Sequence, residues 1–257
     1  MATTLNTVAQ TFKALHKPGN PVILANVYDG ISARTVASLP SSQAIATASH
    51  AVAASVGLDD DDLTLGENLR ATRIIASAIV PFNKPLTVDL QDGYDSDLEH
   101  AVKELISIGV VGINLEDFSR TTNSFYTQSE AADRVRRVLA VANAQGVPDF
   151  VVNARSDKLV HGGTLDEVIA RGQAYLAAGA TTVFVWGGSG RGGVARDEVV
   201  KLVEAFEGRL SVILKLAGGL TARELADIGV ARISVGPALQ RAAIERLKET
   251  AEKVLEF

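Results

Sequence analysis

Short apolar runs separated by amphipathic stretches recur along the whole chain. Eight runs, Val22–Ala25, Ala44–Ala48, Leu86–Asp89, Gly112–Leu115, Phe150–Ala154, Thr182–Trp186, Ser211–Lys215 and Arg232–Val235, are continuous in apolar or small residues rather than alternating. That pattern suits parallel strands covered on both faces. Between them, apolar residues return at helical spacing in Ser32–Leu39, Leu65–Ile79, Leu98–Ile108, Ser129–Ala144, Leu165–Ala178, Asp197–Phe206 and Ala222–Ile228, and a last helix is expected over Ala238–Leu255. Thr164 and Thr221 stand where helices should begin, and Gly109, Gly146, Gly179 and Gly229 where they should stop. Eight strand-helix repeats without a linker predict a single-domain α/β fold, a closed (β/α)8 TIM barrel. The longest irregular stretches, Ser49–Thr64, Glu116–Gln128 and Gly187–Arg196, all follow strand C-terminal ends, where such a barrel builds its active site.

Composition narrows the chemistry. The 257 residues are 47% hydrophobic, enough for a large core, and 25 Lys plus Arg stand against 30 Asp plus Glu, a net charge of −5. The charges form no basic tract, which gives no footprint for nucleic acid or an anionic membrane. No segment has the length and apolarity of a membrane span or a signal peptide, so a cytoplasmic protein with a small-molecule partner is expected. There is no cysteine, which excludes thiolate chemistry and disulfides.

Three strand ends carry chemistry. In Val88-Asp89-Leu90-Gln91-Asp92-Gly93-Tyr94 an apolar strand runs into acid and amide side chains, and strand alternation would put Asp89 and Gln91 on one side. Asn114-Leu115-Glu116-Asp117 adds carboxylates from the next strand, and oxygen ligands converging in this way suit a hard divalent cation. Asp92, Asp95 and Asp97 read better as helix caps. Arg155, in Asn153-Ala154-Arg155-Ser156-Asp157, could grip a substrate carboxylate through its fork, or could equally be spent in a salt bridge to Asp157. The glycines of Gly187–Gly193 lack the spacing of a nucleotide loop. Of the histidines, His100 and His161 fall on the surface, His16 in the N-terminal segment, and His50 beside Ser49.

Taken in order, Tyr28-Asp29-Gly30-Ile31-Ser32-Ala33, Thr47-Ala48-Ser49, Gly57-Leu58-Asp59-Asp60, Asp89–Tyr94, Gly112–Asp117, Asn153-Ala154-Arg155 and Arg232–Pro237 resemble the isocitrate lyase/phosphoenolpyruvate mutase superfamily, in its phosphonomutase-like branch. The resemblance implies a barrel in which Mg²⁺, or Mn²⁺ in its place, sits beside an α-keto or α-hydroxy acid and an enolate resembling that of pyruvate is stabilised. It implies Asp89 and Glu116 as metal-associated acids, with Gln91 at the place of a third. Ser49 with Ala48 would lie at the substrate carboxylate, Asp60 close by, and Arg155 would be the gripping arginine. Arg120-Thr121-Thr122-Asn123-Ser124 is similar to a loop that closes over substrate and would bring Asn123 and Ser124 to the reacting group.

Gln91 departs from the pattern by removing a negative charge, the cysteine-bearing loop of the true isocitrate lyases is missing, and Trp186-Gly187 stands where the mutase has a histidine. A carbon–carbon lyase is therefore the leading expectation. Phosphorus–carbon mutase or phosphonopyruvate hydrolase chemistry is the alternative, and a non-catalytic carboxylate-binding barrel the third reading. A homo-oligomer, with the last helix exchanged between subunits, is implied by the same resemblance.

Overall fold

The computed structural model describes residues 4–256. The strands are β1 (Val22–Leu24), β2 (Asn26–Val27), β3 (Ile45–Thr47), β4 (Leu86–Asp89), β5 (Gly112–Glu116), β6 (Phe118–Ser119), β7 (Ser124–Phe125), β8 (Val151–Ser156), β9 (Thr182–Val185), β10 (Leu210–Ile213) and β11 (Arg232–Ser234). The helices are α1 (Leu5–Ala14), α2 (Gly30–Ala37), α3 (Ser49–Ser55), α4 (Leu65–Ile79), α5 (Leu98–Ile108), α6 (Gln128–Ala144), α7 (Leu165–Ala177), α8 (Arg196–Ala205), α9 (Ala222–Ile228) and α10 (Ala238–Leu255). All but β6 and β7 form one parallel sheet in the order β1-β11-β10-β9-β8-β5-β4-β3-β2.

That order closes the barrel. The run expected as one strand over Val22–Ala25 is broken at Ala25: β1 pairs with the last strand and β2 with β3. Asn26 bridges the seam. Its Nδ2 donates to the Thr47 carbonyl at 2.8 Å, and its Oδ1 accepts from the amides of Val235 and Gly236, each at 2.9 Å. A side chain thus satisfies backbone groups that the interrupted ladder leaves without partners.

Helices form where periodicity and caps agree. In α5 the buried positions are Leu98, Ala101, Val102, Leu105 and Ile106, one stripe at helical spacing, and Gly109 ends the helix at φ 99°. Thr164 with Glu167 and Thr221 with Glu224 make reciprocal capping boxes. Along the barrel axis the strands turn polar side chains on one another: Asn153 Nδ2 donates to Asn114 Oδ1 at 2.8 Å, Thr182 Oγ1 to Asn153 Oδ1 at 2.7 Å, and Arg232 Nη2 to Asn114 Oδ1 at 3.1 Å.

Several local features depart from expectation. The stretch Ser49–Thr64 contains α3, and Glu116–Gln128 contains the hairpin β6–β7, in which Phe118 faces Phe125. Seven- and two-residue elements fall below the length at which periodicity is visible. Strand β4 stops at Asp89, and Gln91 takes φ 55°, so strand alternation does not carry through to it. No helix among the described residues is long and apolar enough to cross a membrane.

Candidate functional site

The C-terminal ends of β3, β4, β5 and β8 bring Ser49, Asp89, Glu116 and Arg155 together. Asp89 is buried: its Oδ2 accepts from the Ser49 amide at 3.0 Å, its Oδ1 faces Asn114 Nδ2 at 3.4 Å, and its own amide donates to Thr47 Oγ1 at 2.9 Å. The Ser49 amide is therefore committed to Asp89. Ala48, the residue preceding α3, is buried beside it and carries no side-chain cap.

Glu116 and Arg155 lie opposite each other in register on β5 and β8. Arg155 Nη1 stands 2.7 Å from Glu116 Oε1, an ion pair whose angles do not make a hydrogen bond. The aligned donor of Arg155 goes elsewhere: Nε donates to Asp157 Oδ1 at 2.8 Å, with Nη2 in ion-pair contact with the same oxygen at 2.7 Å. The salt bridge to Asp157 is thus the reading of Arg155 that the structure shows, and it sets the direction of the fork. The Trp186 indole, 5.2 Å from the guanidinium carbon, stacks against it. Burial drives the Glu116 carboxyl up to about 8. Arg155 pulls the other way, and the charges of Asp157 and Asp89 add to the rise. The direction follows from the geometry, because the arginine's hydrogen bond is spent on Asp157 and none reaches Glu116. Arg155 stays firmly protonated: burial opposes its charge, but Asp157 and Glu116 outweigh it.

Asp60, in a single 3-10 turn at Asp60–Asp62, joins the group from the side. Gln91 Nε2 donates to its carbonyl at 2.7 Å and to its Oδ1 at 3.1 Å. Arg120, from the hairpin loop, donates through Nη1 to the Asp60 carbonyl at 2.8 Å and to Asp61 Oδ1 at 2.7 Å, and through Nη2 to Asp60 Oδ2 at 3.1 Å, with Glu116 Oε2 3.6 Å away. Burial works to raise the Asp60 carboxyl, but the Arg120 charge, followed by the hydrogen bonds of Ser49, Arg120 and Gln91, holds it below the ordinary range. Asn123 and Ser124 are not brought in: both are exposed, and the Ser124 hydroxyl is 2.8 Å from that of Thr122.

The acids expected as caps hold the hairpin instead. Tyr126 donates its hydroxyl to Asp92 Oδ2 at 3.0 Å and to Asp95 Oδ1 at 2.7 Å, while Asp97 precedes α5 without a side-chain cap. Asp117, offered by sequence as a second carboxylate beside Glu116, is spent on structure instead: its Oδ1 accepts the Asp157 amide at 2.9 Å and its Oδ2 accepts from Tyr175 Oη at 2.7 Å and Arg171 Nη1 at 3.1 Å. Sequence reasoning missed these partners. It also passed over Arg232, a charged residue opening an apolar strand, which was the available signal. Arg232 lies fully buried beneath Asp89, and burial pushes its guanidinium down to about 9 while Asp89 pulls the other way. His16, expected only as part of the N-terminal segment, has its Nε2 3.4 Å from Arg232 Nη1. His50 is exposed and outside the cluster.

As placed, these residues do not form a coordination shell. Asp89 is taken by an amide and Asn114, Glu116 faces two arginines, and Asp60 is bridged by Arg120 and Gln91. Among the described residues no group of three or more His, Cys, Asp or Glu side chains is positioned to hold a metal ion.

Fold and site define a closed α/β barrel with carboxylates and guanidinium groups gathered at its strand C-terminal ends. The phosphoenolpyruvate phosphomutase family model matches residues 12–255, and the chain belongs to that family. It is 32% identical over 192 residues to the 2-methylisocitrate lyase of Escherichia coli (strain K12), which takes in 70% of this chain and 62% of that enzyme. Among solved structures, a phosphonomutase candidate from Burkholderia cenocepacia J2315 superimposes with a TM-score of 0.85 at 31% identity, over 97% of this chain and 99% of that one. A 2,3-dimethylmalate lyase superimposes with a TM-score of 0.84 at 26% identity, over 99% of this chain and 88% of that one.

Proposed function

We propose that the protein is a carbon–carbon lyase that cleaves a small α-keto or α-hydroxy carboxylate and leaves the electron pair of the broken bond beside a carbonyl, as an enolate. The observation that carries this reading is the Glu116–Arg155 pair. A buried carboxyl poised near neutrality faces a permanently charged fork at 2.7 Å. Arg155, held by Asp157 and Trp186, binds the substrate carboxylate and stabilises the negative charge that develops on oxygen. With a pKa of about 8, Glu116 is present in both protonation states near pH 7. For a hydroxy acid it takes the hydroxyl proton as that carbon becomes the carbonyl of the departing fragment and returns it to the enolate carbon of the other. For a keto acid whose carboxylate leaves as CO₂ it supplies the proton to the enolate carbon. Ser49, Ala48, Asp60 and Asp89 form the wall against which the substrate lies. Mg²⁺ or Mn²⁺, implied by the sequence resemblance, has no shell ready, so none of these steps runs through it. Asn123 and Ser124, turned out to solvent, lend no support to phosphorus–carbon chemistry. The assembly in this reading is a homo-oligomer, supported by Ile244, Leu247, Val254 and Leu255 of α10, which are 52% to 73% exposed.

The test is a turnover screen with oxaloacetate, branched malates, phosphonopyruvate and phosphoenolpyruvate, each with Mg²⁺, with Mn²⁺ and with EDTA. Release of a keto acid from a carbon substrate, lost in Arg155→Ala, supports the reading. Phosphate release from phosphonopyruvate refutes it in favour of phosphorus–carbon chemistry. A keto acid that raises Tm without turnover marks a binding barrel.

A further inference from the structure

Asp60, Asp89 and Glu116 converge from three segments, and such a set of acids demands a cation. Two features of this chain answer that demand without a metal. At Gln91 an amide replaces an acid, and its Nε2 is donated to Asp60, so it turns a proton and not a ligand oxygen toward that carboxylate. From the other side Arg120 spans two of the acids: it donates to the Asp60 carbonyl, Asp60 Oδ2 and Asp61 Oδ1, and its Nη2 lies 3.6 Å from Glu116 Oε2. The Arg120 side chain is only 20% exposed although it is carried on a surface hairpin. The hairpin itself is seated by Tyr126 on Asp92 and Asp95, and by Phe118 stacked on His161 with ring centroids 4.1 Å apart.

A guanidinium offers fixed, planar donors to carboxylates, whereas a small dication requires six oxygen ligands in an octahedron and would be repelled by a guanidinium placed among them. The centre already sets two guanidinium groups, Arg120 and Arg155, against Asp60, Asp61, Glu116 and Asp157.

We propose that Arg120 is the resident cation of this centre: it lies between Asp60 and Glu116, so that seating of the hairpin, and not metal uptake, completes the positive charge facing a bound carboxylate. The proposal rests on the reading of the site as one for a small keto acid and deepens it. Its consequence is competition. Arg120 and a divalent ion claim the same oxygens, so removing the arginine creates a metal site and restoring an acid at position 91 strengthens it.

The experiment compares wild type, Arg120→Ala and Arg120→Ala/Gln91→Glu. Mn²⁺ binding is read from the EPR signal of the free ion, and oxalate affinity by calorimetry in EDTA. Arg120→Gln, which keeps hydrogen bonding and removes the charge, is carried alongside, and melting curves confirm that each variant is folded. The expected result is no saturable Mn²⁺ binding by wild type up to millimolar ion, clear binding by Arg120→Ala, and an affinity about tenfold higher in the double variant. Oxalate should bind wild type in EDTA and bind both single variants about tenfold or more weakly. Wild type that binds Mn²⁺ as tightly as Arg120→Ala, or an Arg120→Ala that keeps wild-type oxalate affinity in EDTA, overturns the proposal. If wild type fails to bind oxalate, the keto-acid reading falls, while the Mn²⁺ comparison still decides the place of Arg120.

Discussion

Replacing Glu116 by Gln preserves shape and removes one titration. In the folded protein burial holds this carboxyl up at about 8, against an ordinary value of 4.5. A group raised on folding contributes stability that is fully present below its unfolded pKa and is lost as pH rises through the folded one. Between about pH 5 and pH 8 the native state holds a proton that the unfolded chain has released. Wild type should therefore lose about 1.4 kcal/mol of stability per pH unit relative to Glu116→Gln, or about 2 kcal/mol from pH 6 to pH 7.5, and the difference should level off above pH 8. Urea denaturation of the two proteins at half-unit steps from pH 5 to pH 9 measures it, because the titrations of groups remote from Glu116 cancel in the difference. The opposite slope would mean that Arg155 and Arg120 hold Glu116 ionised. Parallel curves would mean that it does not titrate in this range. Either result refutes the assignment of Glu116 as a proton carrier near neutral pH.

The other expectations concern the groups around it. Arg155→Lys, which cannot span Asp157 and Glu116 with a planar fork, should lower kcat by about 10²-fold with Tm little changed, as steady-state kinetics on the substrate found in the screen would show. Asn26→Ala removes three hydrogen bonds across the barrel seam and should cost about 2–4 kcal/mol in urea denaturation; a loss below about 0.5 kcal/mol would mean that the seam closes without it. Arg232 forms no ion pair among the described residues. Arg232→Met should accordingly be neutral or more stable by about 1–2 kcal/mol, and destabilisation beyond about 3 kcal/mol would show that the buried charge is properly compensated.

The barrel was legible because it is written in repeats. Strands β3, β4 and β5 are buried throughout, and α4, α5, α6 and α7 each bury a stripe at helical spacing, so errors at one element are corrected by the count. The seam was not legible. Nothing in Val22–Val27 distinguishes an unbroken strand from one that changes partners at Ala25, because the change is enforced by Asn26 and by residues more than 200 positions away. At the site, Asp89, Glu116 and Arg155 could be found because charged groups at the ends of apolar strands are costly unless used. Their partnerships could not. That Arg155 gives its hydrogen bond to Asp157, that Ser49 gives its amide to Asp89, and that Arg120 reaches Asp60 across the hairpin are facts of side-chain direction, which periodicity does not encode. Asn123 and Ser124 were named from a short polar run alone; the turn that carries them faces solvent in this structure, with Asn123 itself at φ 49°.

The most direct measurement of the central claim needs no knowledge of the natural substrate. If the site stabilises an enolate between Arg155 and Glu116, it should catalyse exchange of the methyl protons of pyruvate with D₂O, followed by proton NMR in EDTA-treated buffer. The account predicts exchange well above the buffer rate, abolished in Arg155→Ala and strongly reduced in Glu116→Gln. Pyruvate that binds, as shown by a raised Tm, yet exchanges no faster than in buffer alone would contradict it.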